Sequence, residues 1–176
     1  MFFGFILAIL AIYMLIATLF RSYLQPLVIL VTIPFGLIGV IWGHIIMGWD
    51  LTMISMFGMV GLTGIVVNDA IVLVERINAN IKDGIPFLDA VRLGGIRRFR
   101  AVFLTSVTTV GGLAPLIFET DSYATMLIPM AITIVFGIIF ATVLTLLLIP
   151  CLLVILNDFR LLVSRVSNGE WKMRNQ

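Results

Sequence analysis

The sequence predicts an all-α integral membrane protein: five transmembrane helices plus one short interfacial helix, with the N-terminus on the outer side and the C-terminus cytoplasmic. Three observations carry this. Hydrophobic residues make up 61% of the 176 residues and charged residues 11%, against about 25% charged in ordinary globular domains. Five apolar runs approach the roughly 20 residues that cross the hydrocarbon of a bilayer. The basic residues gather on one side of those runs. A mean hydropathy of +1.21 is more apolar surface than a soluble domain of this size can bury.

Run length places the spans at about 2–20, 27–47, 53–74, 101–118 and 126–156, the last long enough to tilt or protrude. The joints between them hold caps and breakers: Ser22 and Pro26, Gly48 with Asp50, Asp83-Gly84 followed by Pro86, and Thr120-Asp121-Ser122. Between the third and fourth spans, the stretch from Ile81 to Arg100 is too short and too charged to cross. Within it Pro86 suits a first helical turn, and Phe87, Leu88 and Val91 alternate in face with Asp89 and Arg92. This predicts a short helix over 86–93 lying flat on the cytoplasmic surface and ended by Gly94-Gly95. Residues 1–158 thus form the membrane bundle and 159–176 a polar cytoplasmic tail, helical at first and then frayed.

Orientation follows from charge. Arg21, Arg76, Lys82, Arg92, Arg97, Arg98, Arg100, Arg160, Arg165, Lys172 and Arg174 all fall in the first and third loops or the tail. The second and fourth loops hold only Asp50, Glu119 and Asp121. The positive-inside bias puts the first set in the cytoplasm and Met1 on the far side. The net charge of +2 is a topology signal and has no nucleic-acid implication. The first span lacks a basic region before it and a cleavage site after it, so it does not read as a secretory signal. A chain beginning outside, at the first turn of a span, reads as a fragment of something longer.

The third span contains the chemistry. Asn68 and Asp69 stand side by side in a run otherwise apolar enough to cross a bilayer, and a carboxylate at that depth costs roughly 2.5–3.5 kcal/mol on insertion scales. It needs a partner, a proton or a task. Gly58, Gly61, Gly64, Asn68 and Asp69 fall within about 140° of one another on a helical wheel. Thr105, Thr108, Thr109 and Gly112 share a face of the fourth span, and Thr133, Gly137, Ala141 and Thr145 recur every four residues on the fifth. Small and hydroxylated stripes let helices approach and bond across the contact, so the three are expected to face one another. Asp69 lies roughly 8 Å and Thr105 roughly 6 Å inside the same edge at 1.5 Å per residue. A cluster of Asp69, Asn68 and Thr105, with Thr108 or Thr109 deeper, is expected at that level. Two readings stand for it: a site that takes up and releases a proton, or a fixed interhelical bond, partnered from outside the chain.

Other residues are quieter. His44, the only histidine, suits a hydrogen bond near the outer end of the second span. Trp42, Trp49 and Tyr123 suit an aromatic belt at the same boundary. Met53, Met56 and Met59 read as packing, Glu75 and Arg76 as a solvated pair, and Pro34, Pro115, Pro129 and Pro150 as kinks. One cysteine, Cys151, excludes a disulfide framework within the chain, and no His or Cys cluster offers a metal site.

Phe20-Arg21-Ser22-Tyr23 with Pro26, Ile33-Pro34-Phe35-Gly36 with Gly39, the run from Gly61 to Leu73, and Arg97-Arg98-Phe99-Arg100 with Leu104-Thr105-Ser106 and Thr108-Thr109 occur in order. Together these motifs closely resemble the C-terminal membrane segment, helices eight to twelve, of resistance–nodulation–division transporters, over about residues 1–158. The resemblance implies a proton-driven exporter of the bacterial inner membrane with the outer side periplasmic. It implies twelve spans and two large periplasmic insertions in the parent, a homotrimer, a periplasmic adaptor and an outer-membrane channel. No cofactor is implied beyond the proton as coupling ion.

In drug-exporting relatives a lysine on the tenth helix faces an acidic pair on the fourth, and an arginine and a threonine on the eleventh complete the relay. By motif the lysine position falls on Asn68, the arginine on Arg98 and the threonine on Thr105, with Thr108, Thr109 and Gly64 in support. Asn68 departs from the pattern, while Asp69 adds an acid where those relatives hold an amide; the relay then runs through Asp69 or is rearranged. Without the fourth-helix acids and the periplasmic domains, the chain alone is expected to be inactive. The Asn68-Asp69-Ala70-Ile71-Val72 pattern with Glu75-Arg76-Ile77 also resembles proton-driven protein-export accessory subunits of the SecD/SecF type, although Arg21-Ser22-Tyr23 and Ile33-Pro34-Phe35-Gly36 favour the exporter. A free-standing membrane protein that assembles with a partner is the third reading.

Overall fold

The computed structural model describes residues 2–173, with side chains for all of these except Phe2, Phe5, Ser122, Tyr123 and residues 160–173. Tyr123 of the expected aromatic belt, and Arg160, Arg165, Lys172 and Arg174 of the tail, therefore lie outside the described side chains. The described chain is all helical: α1 (Phe2–Phe20), α2 (Leu24–Leu30), α3 (Thr32–Met47), α4 (Met53–Lys82), α5 (Phe87–Ile117), α6 (Ser122–Thr125) and α7 (Ile128–Met173). Four stretches are long and apolar enough to cross a membrane: Leu24–Met47, Met53–Lys82, Phe87–Ile117 and Ile128–Phe159. The apolar stretch of α1, Ile6–Phe20, is shorter.

Local chemistry explains the joints. Arg21 turns the chain after α1 with φ of 49°, a left-handed conformation that few residues with a Cβ adopt. α2 and α3 form one span with a break at Val31. Pro34, two residues into α3, has no N–H for the Leu30 carbonyl, which loosens the ladder at that point. Thr32 Oγ1 donates to the Ile29 carbonyl at 2.6 Å beside the break. Gly48 closes α3 at φ 68°, where Trp49 N–H donates to the His44 carbonyl at 3.1 Å. A capping box starts α4: Ser55 N–H donates to Thr52 Oγ1 and Thr52 N–H donates to Ser55 Oγ.

The separate interfacial helix expected over 86–93 is absent, and α5 runs unbroken from Phe87 through Gly94 and Gly95 to Ile117. The glycine pair reads as a terminator in the sequence, but Gly94 is there for packing. A Cβ on Gly94 would lie 2.5 Å from Ile77 Cγ1 on α4, so only glycine permits this approach. Buried Asn80 strengthens the same corner by donating from Nδ2 to the Ala90 carbonyl at 3.0 Å. The tail is likewise continuous with the last span, since α7 extends 46 residues to Met173.

α7 is the centre of the bundle and packs against α3, α4 and α5. Lipid offers helices no hydrophobic reward for associating, so close van der Waals contact must hold them. Glycines supply it. Cβ atoms on Gly39 and Gly43 would sit 2.5 Å from Phe140 Cβ and Phe136 Cβ of α7, and Gly39 would also meet the Phe136 carbonyl oxygen at 2.7 Å. Gly137 of α7 takes the Leu62 side chain of α4 in the same way. Around these contacts lie two apolar clusters, one centred on Ile29, Leu73, Ile77 and Ile149 and one on Val40, Leu62 and Ile138.

Gly39→Ala is expected to destabilise the folded protein by about 1–3 kcal/mol, the usual range for overpacking, because backbone of α7 must move. Gly64→Ala is expected to be near neutral, since nothing lies within 4 Å of its Cβ position. Denaturant unfolding of the purified variants in matched detergent checks both.

Candidate functional site

α4 presents two contrasting faces. Val66, Val67 and Ala70 are buried at 3%, 4% and 0% exposure, on the side that meets the core clusters. Asn68 is exposed, and Asp69 is half-buried between that open face and the core. Gly61 and Gly64 have open space where a Cβ would stand. The glycine and amide face of α4 is therefore uncovered by the other described residues.

α5 repeats the arrangement. Thr105 and Thr108 are exposed and Thr109 half-buried, and Gly111 and Gly112 also border open space. Their hydroxyls are committed to their own helix: Thr105 to the Val102 carbonyl at 2.8 Å, Thr108 to Leu104 at 2.7 Å and Thr109 to Thr105 at 2.8 Å. Among the described residues no hydrogen bond joins these threonines to Asp69 or Asn68. Arg98, half-buried on the same helix, has a buried Nε with no partner among the described residues.

The expectation that three stripes converge is thus corrected. On α7, Thr133, Ala141 and Thr145 are buried at 0%, 2% and 2% exposure, and Gly137 receives Leu62. On α4 only Gly58 joins that contact, with its Cβ position 3.0 Å from Thr133. Gly61, Gly64 and the threonines of α5 point elsewhere. Helical spacing shows which residues share a face; it does not show what that face meets.

The hydroxyl contact that joins α5 to α7 lies one position away from the residues the spacing singled out. Ser106 Oγ and Thr142 Oγ1 are both buried and 2.6 Å apart, linking α5 to α7. Each is the sequence neighbour of a residue in the expected stripes, Thr105 and Ala141. His44 makes the expected hydrogen bonds, with Nδ1 3.0 Å from the Val40 carbonyl and Nε2 3.1 Å from Ser55 Oγ. A carbonyl only accepts, so Nδ1 carries the proton and Nε2 accepts from Ser55. Among the described residues there is no group of three or more His, Cys, Asp or Glu that could hold a metal ion.

Long apolar helices around a glycine-packed centre, with an acid in one of them, define a polytopic helical membrane protein. The chain belongs to the AcrB/AcrD/AcrF family, whose model matches residues 2–157. This is a family of resistance–nodulation–division transporters of the inner membrane, and its members are not enzymes. The chain is 32% identical over 154 residues to the swarming motility protein SwrC of Bacillus subtilis (strain 168), covering 87% of this chain and 15% of that protein. It is 30% identical over 154 residues to the multidrug resistance protein MdtC of Erwinia amylovora (strain ATCC 49946), again covering 87% of this chain and 15% of that protein. The crystal structure of a heavy metal efflux pump superposes with a TM-score of 0.78 at 27% identity, over 85% of this chain and 15% of the pump. The chain thus spans about 15% of the length of the curated relatives it matches.

Ser106→Ala is expected to cost about 0.6 kcal/mol and at most about 1.7 kcal/mol, the average and the maximum found for hydrogen bonds between membrane helices. The double variant with Thr142→Val is expected to cost no more than the sum of the single effects minus that coupling. A double-mutant cycle on unfolding free energies checks it.

Proposed function

We propose that this chain supplies part of the membrane domain of a proton-driven efflux transporter, and that the uncovered face of α4 and α5 forms part of its proton pathway. The observation that carries the reading is the placement of Asp69. It stands half-buried at the edge of a face that no other described residue covers. An ionisable group in a membrane helix is paired, protonated or at work, and the described residues give Asp69 no ionic partner on that face. Asn68, Thr105 and Arg98 are the groups proposed to share the relay, with Thr108, Thr109 and Gly64 in support. Arg98, with its buried and unpartnered Nε, is suited to charge supplied by another helix.

In this reading the rest of the parent transporter covers the face: further membrane helices, and periplasmic domains that select the cargo. The N-terminus is proposed to be periplasmic and the C-terminus cytoplasmic, a reading the one-sided arginines and lysines support. The assembly is a homotrimer with a periplasmic adaptor and an outer-membrane channel. Relatives include proteins named for multidrug resistance and heavy metal efflux, so cargo of either kind fits. The family match over residues 2–157 supports efflux over protein export. The chain alone, lacking acids to face Asn68 and Asp69, is proposed to be inactive.

Asp69→Asn in the complete transporter is expected to reduce proton-coupled export to background while the protein still assembles and reaches the membrane. Export and proton flux in proteoliposomes check this. Unchanged export would remove Asp69 from the mechanism.

A further inference from the structure

A recess of about 560 Å³ opens where the ends of α1 and α4 meet, lined on one side by Leu19, Phe20 and Ile81 and on the other by Arg21, Gln25, Glu75, Asn78 and Lys82. Its construction is unlike the other surfaces of the chain. Gln25 Nε2 donates to Asn78 Oδ1 at 3.1 Å, and Asn78 Nδ2 donates back to Gln25 Oε1 at 3.1 Å. This reciprocal pair ties α2 to α4, and each amide keeps a second N–H beyond the pair. Arg21 sits on the left-handed turn that ends α1, and Lys82 is in the last turn of α4. Both cations border the same space, at the point where two apolar helices stop.

The donor inventory identifies the ligand class. Arg21, Lys82 and the amide residues Gln25 and Asn78 line one recess, and among the described residues lining it the one acid is Glu75. Basic recesses between membrane helices on the cytoplasmic side hold lipid headgroups. The apolar wall suits acyl chains, and the donors suit a phosphate. A purely anionic headgroup leaves Glu75 opposed, whereas an ammonium-bearing headgroup satisfies it. We propose that this recess binds the headgroup of phosphatidylethanolamine, with its phosphate on Arg21 and Lys82 and its ammonium on Glu75. The Gln25–Asn78 pair fixes α2 against α4 beside the recess. The proposal depends on α1 and α4 crossing the membrane and is independent of proton coupling through Asp69.

Native mass spectrometry of the intact protein in detergent tests it, with phosphatidylethanolamine, phosphatidylglycerol and inorganic phosphate added separately at equal concentration. Phosphatidylethanolamine is expected to be retained best. The double variant Arg21→Asn, Lys82→Gln is expected to lose that retention on the order of tenfold; asparagine tolerates the left-handed turn, so folding is preserved. Glu75→Gln is expected to lower phosphatidylethanolamine to the level of phosphatidylglycerol. Arg97→Gln with Arg100→Gln, exposed cations away from the recess, is expected to change nothing. The proposal is overturned by equal retention of both lipids in the wild type, by retention of inorganic phosphate alone, or by equal losses in the recess variant and the Arg97, Arg100 control. Because the readout is lipid retention, failure here leaves the export reading intact, and loss of export in Asp69→Asn leaves this one intact.

Discussion

Everything in this bundle depends on how closely α3 and α4 approach α7. In lipid, apolar side chains gain nothing by leaving the solvent, so helices associate only where backbones come near enough for dense contact. Gly39 and Gly43 admit Phe136 and Phe140, and Gly137 admits Leu62. These contacts set the rotation of α4 about its axis. Once Leu62, Val66 and Ala70 are turned inward, Gly61, Gly64 and Asn68 must face outward. The polar face is uncovered because the apolar face is so fully engaged.

The corner between α4 and α5 extends the same constraint. Ile77 packs into the space left by Gly94, and Asn80 is bonded to the Ala90 carbonyl. Rotation of α4 is thereby carried to α5, whose buried Ser106 meets Thr142 while Thr105 and Thr108 stay outside. Asp69 and the α5 threonines are held by one framework, although no hydrogen bond joins them within the described chain.

Much of this was legible in the residues, and the rest was not for definite reasons. Run length places the long helices because bilayer thickness is a fixed ruler, and Asp69 stands out because an acid within an apolar run is rare and costly. Glycines were the ambiguous letters. Gly94-Gly95 reads as a stop, yet α5 passes through it because Gly94 fits Ile77. Gly58 and Gly61 share one wheel face, yet only Gly58 is in a contact. A helical wheel contains relative angles alone, and the absolute direction comes from partners far along the chain. The Ser106–Thr142 bond was missed for the same reason, since each residue is one step off an expected stripe. The family motifs then connect the open face to a function that the apolar core does not disclose.

If the face of α4 bearing Gly64 and Asn68 is an internal surface of a larger transporter, it must be shielded from acyl chains in the assembly. Fluorophores attached at Gly64→Cys and Asn68→Cys in the assembled transporter, reconstituted with brominated lipids, measure this directly. The account predicts little quenching at either position. Strong quenching at both would place that face in lipid and contradict it.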